Sequence, residues 1–495
     1  MADSDHPGEP TTLSTLLDRL VAARPDAVAV IEGEQSTDRA DLSRRVAGLG
    51  AQLAQLGIAR GGRVALWLPN GRDYLVAILA VARLGALAVH VNTRLGPAEV
   101  GDLLDRTGAR GLITHPSLRA KRRDVVLRDL PILGDDEPLR TDGACPDLAT
   151  SDADCLVYTT GGTTARPKLV VHRQRSIAAH AATVARVAGF DQPGSAYLAA
   201  VPLCGTFGNI GAMASLAGGA TLVMMPGFDA DEAARLIDRH RITHLLGDDR
   251  MIDRLADAGT YDSIRFCGAA AFGADARPAL ARGVAAGLMP RAIYGSSEVQ
   301  ALFALGDPAA EGWGAVTPVD PAARTVVVDD ELRLAGPSLF DRYLDDDAAT
   351  DAAREGGLFR TSDRATIQGN GFVFEGRMGD VLRLGGFLVS PLEIEAFLVR
   401  QPGVAEAQVV GIEGAENGGR GTAPFAFVVA QAGAGIDEAM LIAACTADLA
   451  RYKVPVRIVA IEAFPTSTGP NGPKISRADL RRLAAEMQSQ EEPVT

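Results

Sequence analysis

Residues 158–168 read Tyr-Thr-Thr-Gly-Gly-Thr-Thr-Ala-Arg-Pro-Lys. Three hydroxyl side chains, Thr160, Thr163 and Thr164, alternate with Gly161 and Gly162, and Lys168 closes the stretch. Apolar runs at 155–158 and 169–172 flank it, a pattern that predicts a strand, a small-residue loop and a second strand. In such a loop, backbone N–H groups and hydroxyls can converge on an anion. No Gly-Lys-Ser/Thr follows at the Walker spacing, and by itself a loop of this composition reads equally well as an ordinary turn.

The elements that must position this loop can be bounded from composition. A chain of 495 residues, 47% hydrophobic and 22% charged, can bury large cores in roughly two to four domains. Its net charge of −13 argues against a broad nucleic-acid surface, so a polyanionic ligand needs a local basic site and the expected partner is a small molecule. The five cysteines (Cys145, Cys155, Cys204, Cys267, Cys445) form no metal-type cluster, and three of them sit in apolar runs, which fits a reducing cytoplasm. Residues 1–10 carry acidic side chains and no apolar signal-peptide core. The uncharged segment between Asp191 and Asp229 holds too many Gly and Pro residues for a membrane span, and is read as a buried strand, a helix and another strand.

Along the chain, residues 41–56 give an amphipathic helix with Leu42, Val46, Leu49, Leu53 and Leu56 on one face. Strand-like runs at 64–68, 86–91 and 111–114 alternate with helical patterns at 74–84 and 99–107, and the alternation resumes at 176–187, 197–201, 220–224, 231–240, 243–246 and 264–267. This predicts an α/β fold of layered, mainly parallel sheets with helices. From Thr325 the pattern changes to short strands and turns, predicting a small antiparallel, barrel-like subdomain over about 325–378. From Ser390 a smaller α+β unit follows. The expected domains are 1–378 and a mobile 379–495, joined at Gly376-Arg377-Met378-Gly379-Asp380, with a frayed tail after Arg482.

Further islands stand far from the first loop: Tyr294-Gly295-Ser296-Ser297-Glu298, then Thr361-Ser362-Asp363, then Gly376-Arg377 running to Gly385-Gly386-Phe387 and Pro391-Leu392-Glu393-Ile394-Glu395, and last Gly472-Pro473-Lys474-Ile475-Ser476-Arg477. In this order and spacing they resemble the adenylate-forming superfamily, which includes acyl-CoA synthetases, firefly luciferase and peptide-synthetase adenylation domains. The resemblance runs from about Leu13 to Arg482.

It implies an AMP-forming acyl-CoA ligase that joins a carboxylic acid to ATP as an acyl-adenylate and passes the acyl group to coenzyme A. Attack of a carboxylate on the α-phosphorus brings two anions together, so positive charge and N–H donors are needed. By resemblance Lys474 supplies that charge, Glu298 holds Mg2+ through hard carboxylate oxygen, and the loop (Thr160, Gly161, Gly162, Thr163, Thr164, Lys168) holds the phosphates, with Thr163 placed among the catalytic residues. Asp363 accepts the ribose hydroxyls, Arg377 contacts ribose or phosphate, and Tyr294, Gly295, Ser296, Ser297 and the segment Gly268, Ala269, Ala270 complete the nucleotide site. Cys204, Gly205, Phe207 and Ala301 border the acyl pocket, whose many small side chains favour a bulky or ring-containing acid. For thioesterification the small domain turns about Gly379 and presents Arg383, Gly385, Gly386 and Phe387 to CoA.

Three departures open alternatives. Ala165 replaces a glycine of the loop, and where φ is positive a Cβ costs on the order of 1 kcal/mol. Leu169 adds bulk after Lys168, and Pro473 precedes Lys474. These leave open an enzyme that only thioesterifies an acyl-adenylate delivered by a separate adenylating enzyme; apart from them, the resemblance also allows an adenylating enzyme that loads a carrier protein instead of CoA. A homodimer is also left open.

Overall fold

The computed structural model describes residues 11–95, 97–127, 130–159, 168–270, 277–306, 314–378, 382–384, 387–389, 391–413, 422–449, 451–469 and 472–489. Its strands form two large sheets, a smaller third one and a hairpin.

The seven-stranded sheet runs in the order Arg342–Tyr343, Leu169–Arg173, Asp154–Thr159, Leu87–His90, Arg63–Trp67, Leu112–Thr114 and Ile132–Leu133. The strands from Asp154–Thr159 to Ile132–Leu133 are parallel, whereas Asp154–Thr159 and Leu169–Arg173 pair antiparallel, with Thr159 opposite Leu169. The expected strand, loop and strand around residues 160–167 are therefore a hairpin, and the loop itself lies outside the described residues. Leu169 is 3% exposed and packs with Val171 and Leu344 inside this sheet's core. The bulk noted after Lys168 therefore lies in the apolar interior, into which the strand turns this side chain.

The second sheet has fourteen strands. Its parallel part contains Ala196–Ala199, His244–Asp248, Phe266–Ala270 and Pro290–Ser296. Antiparallel strands then continue it through Gln300–Gly306 and Val316–Pro318 to Gly371–Arg377 and Leu358–Gln368. The antiparallel set expected after Thr325 is thus continuous with the long sheet.

Helices Arg72–Arg83, Gln174–Ala188 and Thr206–Gly218 share one core with both sheets: Ile78, Ile177 and Ile210 cluster with Leu66 and Leu156 of one and with Tyr197 and Phe266 of the other. A helix between two sheets must be apolar almost all round, which is why Tyr74–Ala82 is buried without interruption. The uncharged segment after Asp191 is a strand (Ala196–Ala199), a helix (Thr206–Gly218) and a strand (Thr221–Met224), as expected. Gly189 at φ +80° and Gly219 at φ +82° end the two helices in the left-handed conformation. Among the described residues no helix is long and apolar enough to cross a membrane.

Elements that were not anticipated include the strands Gln35–Asp38, Pro290–Ser296, Gln300–Gly306 and Leu358–Gln368 and the helices Asp249–Ala258 and Arg277–Ala285. The first is a short polar edge strand, which carries almost no alternation to read.

The last unit holds a five-stranded sheet in which Val404–Glu413 pairs antiparallel with Thr422–Ala430. Helix Pro391–Val399 buries Ile394 and Leu398 in this unit's core. The tail expected to fray after Arg482 instead continues as helix Arg477–Ser489, because Leu480 and Ala484 are both 0% exposed and pack with Val410 and Phe425.

Candidate active site

The parallel strands Phe266–Ala270 and Pro290–Ser296 end side by side, and in such sheets ligands collect beyond the carboxyl ends of the strands. Of the three small residues expected near a base, Gly268 and Ala269 are buried and only Ala270 is partly open. Tyr294 is 8% exposed, its ring set edge-on to Phe372 at 5.0 Å. Its hydroxyl donates to Oδ2 of Asp363 at 2.5 Å. Asp363 is 3% exposed, its N–H donates to Oγ1 of Thr361, and Ser362 beside it has φ +56°. Arg377 sits opposite Asp363 in the neighbouring strand. Tyr294, Asp363 and the Arg377 backbone, read from three separate islands, thus meet at one point.

The segment 295–301 is held by the other sheet and by helix Gln174–Ala188. His172 Nε2 donates to the carbonyl of Ser297 at 2.7 Å, and His180 Nε2 to that of Ala301 at 2.8 Å. Burial lowers both imidazoles to about 4, so both are neutral donors near pH 7. Gln300 and Leu302 adopt φ of +63° and +58°. Gln300 is clamped by hydrogen bonds from Nε2 to the carbonyls of Ser176 and Ser338. Gly295 is required by close approach, since a Cβ there would lie 2.5 Å from the carbonyl oxygen of Gln300. Ser296 Oγ accepts from the Glu298 N–H.

Glu298 receives the Tyr343 hydroxyl on Oε1 at 3.0 Å, and its carbonyl accepts the Phe340 N–H at 2.7 Å. The ammonium of Lys168 lies 4.5 Å from the centre of the Tyr343 ring. Among the described residues no group of three or more His, Cys, Asp or Glu could hold a metal ion. One carboxylate fits Mg2+ that travels mainly on nucleotide phosphates and water.

On the acyl side, Cys204, Gly205 and Phe207 are half-buried around the start of helix Thr206–Gly218, and Ala301 is 6% exposed within the main core. The Cys204 thiol is pushed up to about 12 by burial, so it is neutral lining. Asn70 fixes this turn: its Nδ2 donates to the carbonyls of Ala199 and Val201 at 3.0 and 2.8 Å, and its Oδ1 accepts the Leu203 N–H at 2.8 Å. A Cβ on Gly208 would lie 2.2 Å from the Pro202 carbonyl, so the helix start needs glycine there. The ring of His90 stacks between Tyr74 and Tyr158.

In the last unit Lys474 is exposed on a strand, not a loop: Gly472–Ile475 pairs with Thr466–Gly469 and sets Lys474 opposite Ser467. Arg477 donates to Oε1 of Glu395 at 2.8 Å, and the same oxygen accepts the Val409 N–H at 2.9 Å. Glu395 is 0% exposed. Two of the quoted islands are therefore joined by a buried ion pair that anchors the Lys474 hairpin. Arg383 and Phe387 lie on paired strands whose side chains are not described. Thr160, Gly161, Gly162, Thr163, Thr164, Ala165, Gly379, Gly385 and Gly386 lie outside the described residues. Tyr343, His172, Asn70 and Gln300 were not anticipated as parts of the site.

Two family models cover the same units: "AMP-binding enzyme" matches residues 17–342 and "AMP-binding enzyme C-terminal domain" matches residues 393–469. The chain is an AMP-binding enzyme. It is similar to the 3-(7a-methyl-1,5-dioxo-octahydro-1H-inden-4-yl)propanoyl:CoA ligase of Mycobacterium tuberculosis, at 33% identity over 95% of this chain and 99% of that protein. It is also similar to the 2-succinylbenzoate–CoA ligase of Geobacillus kaustophilus, at 31% identity over 96% and 98% of the two chains. Its fold matches that of O-succinylbenzoate coenzyme A synthetase from Bacillus subtilis in complex with AMP, with a TM-score of 0.83 at 24% identity over 94% and 98% of the chains. The AMP-binding enzyme is an acid–thiol ligase of the AMP-forming acyl-CoA synthetase type. The adenylate-forming resemblance read from the five islands is borne out.

Proposed function

We propose that this AMP-forming ligase activates a bulky, ring-containing carboxylic acid as its acyl-adenylate and transfers the acyl group to coenzyme A. The observation that carries the choice of acid is the ring system named in both of the relatives given above, at 33% and 31% identity. The small side chains around Gly205 agree with it. In this reading Asp363 takes the ribose, with Tyr294 holding its carboxylate, while Glu298 and the segment around Thr163 and Lys168 take the metal-bearing phosphates. Lys474 approaches the α-phosphate and the acid. Mg2+ supplies charge neutralisation at the phosphates. Residues 1–378 and 379–495 act as the two domains, turning about Gly379 so that Arg383–Phe387 can face CoA.

A panel of mono- and bicyclic ring acids, scored by pyrophosphate exchange and by acyl-CoA mass, tests the proposal. Turnover of acetate or straight-chain acids ahead of every ring acid would overturn it. The substitution of Ala165 favours one second reading, in which the chain takes a preformed acyl-adenylate from a separate adenylating enzyme. Robust exchange of pyrophosphate into ATP with a cognate acid rules that out. Comparison of CoA with a holo-carrier protein as acceptor separates the carrier-loading alternative. A cytoplasmic location and a homodimer remain parts of the proposal, tested by fractionation and by light scattering.

A further inference from the structure

Residues 340–344 form a short bridge between the two sheets. Asp341 N–H donates to the Val171 carbonyl and Leu344 N–H to the Leu169 carbonyl, both at 2.8 Å, which splices the segment onto the strand that leaves the loop at 160–167. On its other side the Phe340 N–H holds the Glu298 carbonyl. Arg354 fastens the bridge with donations to the carbonyls of Phe340 and Asp341 at 2.6 and 2.8 Å. Tyr343, 2% exposed, packs on Phe340 with ring centres 4.9 Å apart. One rigid ring therefore offers its hydroxyl to Glu298 and its face to Lys168.

We propose that Tyr343 is a positioning residue that sets the Glu298 carboxylate and the Lys168 ammonium at a fixed separation, so that one side chain registers both on the metal-bearing phosphates. The proposal rests on the adenylating reading of the site. Without the hydroxyl the carboxylate loses its bearing. Without the ring, Lys168 also loses the π face that draws its cation to this side. A register of this kind matters for a nucleotide carrying metal and terminal phosphates, and not for AMP.

Tyr343→Phe keeps the ring and removes the hydroxyl, while Tyr343→Leu removes both. Calorimetry of the intact enzyme with Mg·ATP, with ATP plus chelator, and with AMP reads binding apart from turnover. Tyr343→Phe is expected to weaken Mg·ATP by about tenfold, the usual scale for a hydrogen bond to a charged group. It should leave AMP, and the rate at which presynthesised acyl-adenylate reacts with CoA, within about twofold of wild type. Tyr343→Leu should in addition weaken ATP measured with chelator. Equal losses for AMP and Mg·ATP in the Phe variant would mean a merely structural role and overturn the proposal, as would unchanged Mg·ATP affinity. Absence of pyrophosphate exchange in the wild type would count against the adenylating reading alone, because the calorimetric comparison still reads Tyr343. Melting temperatures of both variants show whether folding is intact, and the Phe variant decides the outcome should the Leu variant fail to fold.

Discussion

The Tyr294 hydroxyl donates to Oδ2 of Asp363 at 2.5 Å across 69 residues of chain, joining the end of a parallel strand to an antiparallel one. A carboxylate that is 3% exposed needs such a donor to stay oriented. Tyr294→Phe should weaken AMP binding by about tenfold and destabilise the fold by roughly 1–3 kcal/mol. Titration calorimetry and chemical denaturation check both.

Lys474 stands on a hairpin strand anchored through Arg477 to Glu395. Lys474→Ala should lower pyrophosphate exchange by about 10²–10³-fold, the scale of one lost electrostatic stabiliser. Thioester formation from presynthesised acyl-adenylate should persist. Equal loss in both half-reactions would remove Lys474 from its proposed role.

Arg477→Met should do something different. It takes the Arg477 cation away from the fully buried Glu395, which still accepts the Val409 N–H. Breaking one side of a buried pair costs about 3–5 kcal/mol, so the last unit should melt early while the lysine itself is untouched. Limited proteolysis with mass spectrometry locates the cleaved unit.

His172 donates from Nε2 to Ser297, and its buried Nδ1 has no hydrogen-bond partner among the described residues. Protonation would bury a charge there, which is why its value falls to about 4. The unfolded chain takes up this proton near the ordinary value of 6.5. The stabilisation from neutral His172 is therefore full above about pH 6.5 and is lost as pH falls through about 4, on the order of 3 kcal/mol in all. Melting temperature against pH should become shallower over that window in His172→Gln, with His180 keeping part of the slope.

Asn70 is 7% exposed and makes three hydrogen bonds to the turn 199–203. Asn70→Ala should cost about 2–4 kcal/mol, because buried carbonyls and an N–H are left unmet. It should also raise KM for the acid more than KM for ATP, since this turn carries Cys204 and Gly205. Denaturation and steady-state kinetics with each substrate varied separate the two effects.

Local pattern was enough for much of this protein. Apolar runs gave the buried strands, a 3.6-residue period gave the helix at 41–56, and the Gly and Pro residues after Asp191 separated a strand, a helix and a strand from a membrane span. The order of Tyr294, Asp363, Arg377 and Lys474 along the chain carried the resemblance and, with it, the expected chemistry. These are signals of neighbours, period and spacing, which a linear chain displays directly.

What the sequence could not display is which distant groups share an atom. Tyr343 falls in an unremarkable Asp-Arg-Tyr-Leu run, and only pairing with the strand after the loop brings its hydroxyl to Glu298 and its ring to Lys168. Leu169 read as added bulk after Lys168 until strand alternation turned it inward, and the tail after Arg482 read as frayed until Leu480 and Ala484 found an apolar surface. Glu395 and Arg477 read as parts of two separate motifs and prove to be one ion pair. In each case the deciding energy is burial or a hydrogen bond between residues far apart in sequence, a quantity that exists only once the sheets have met.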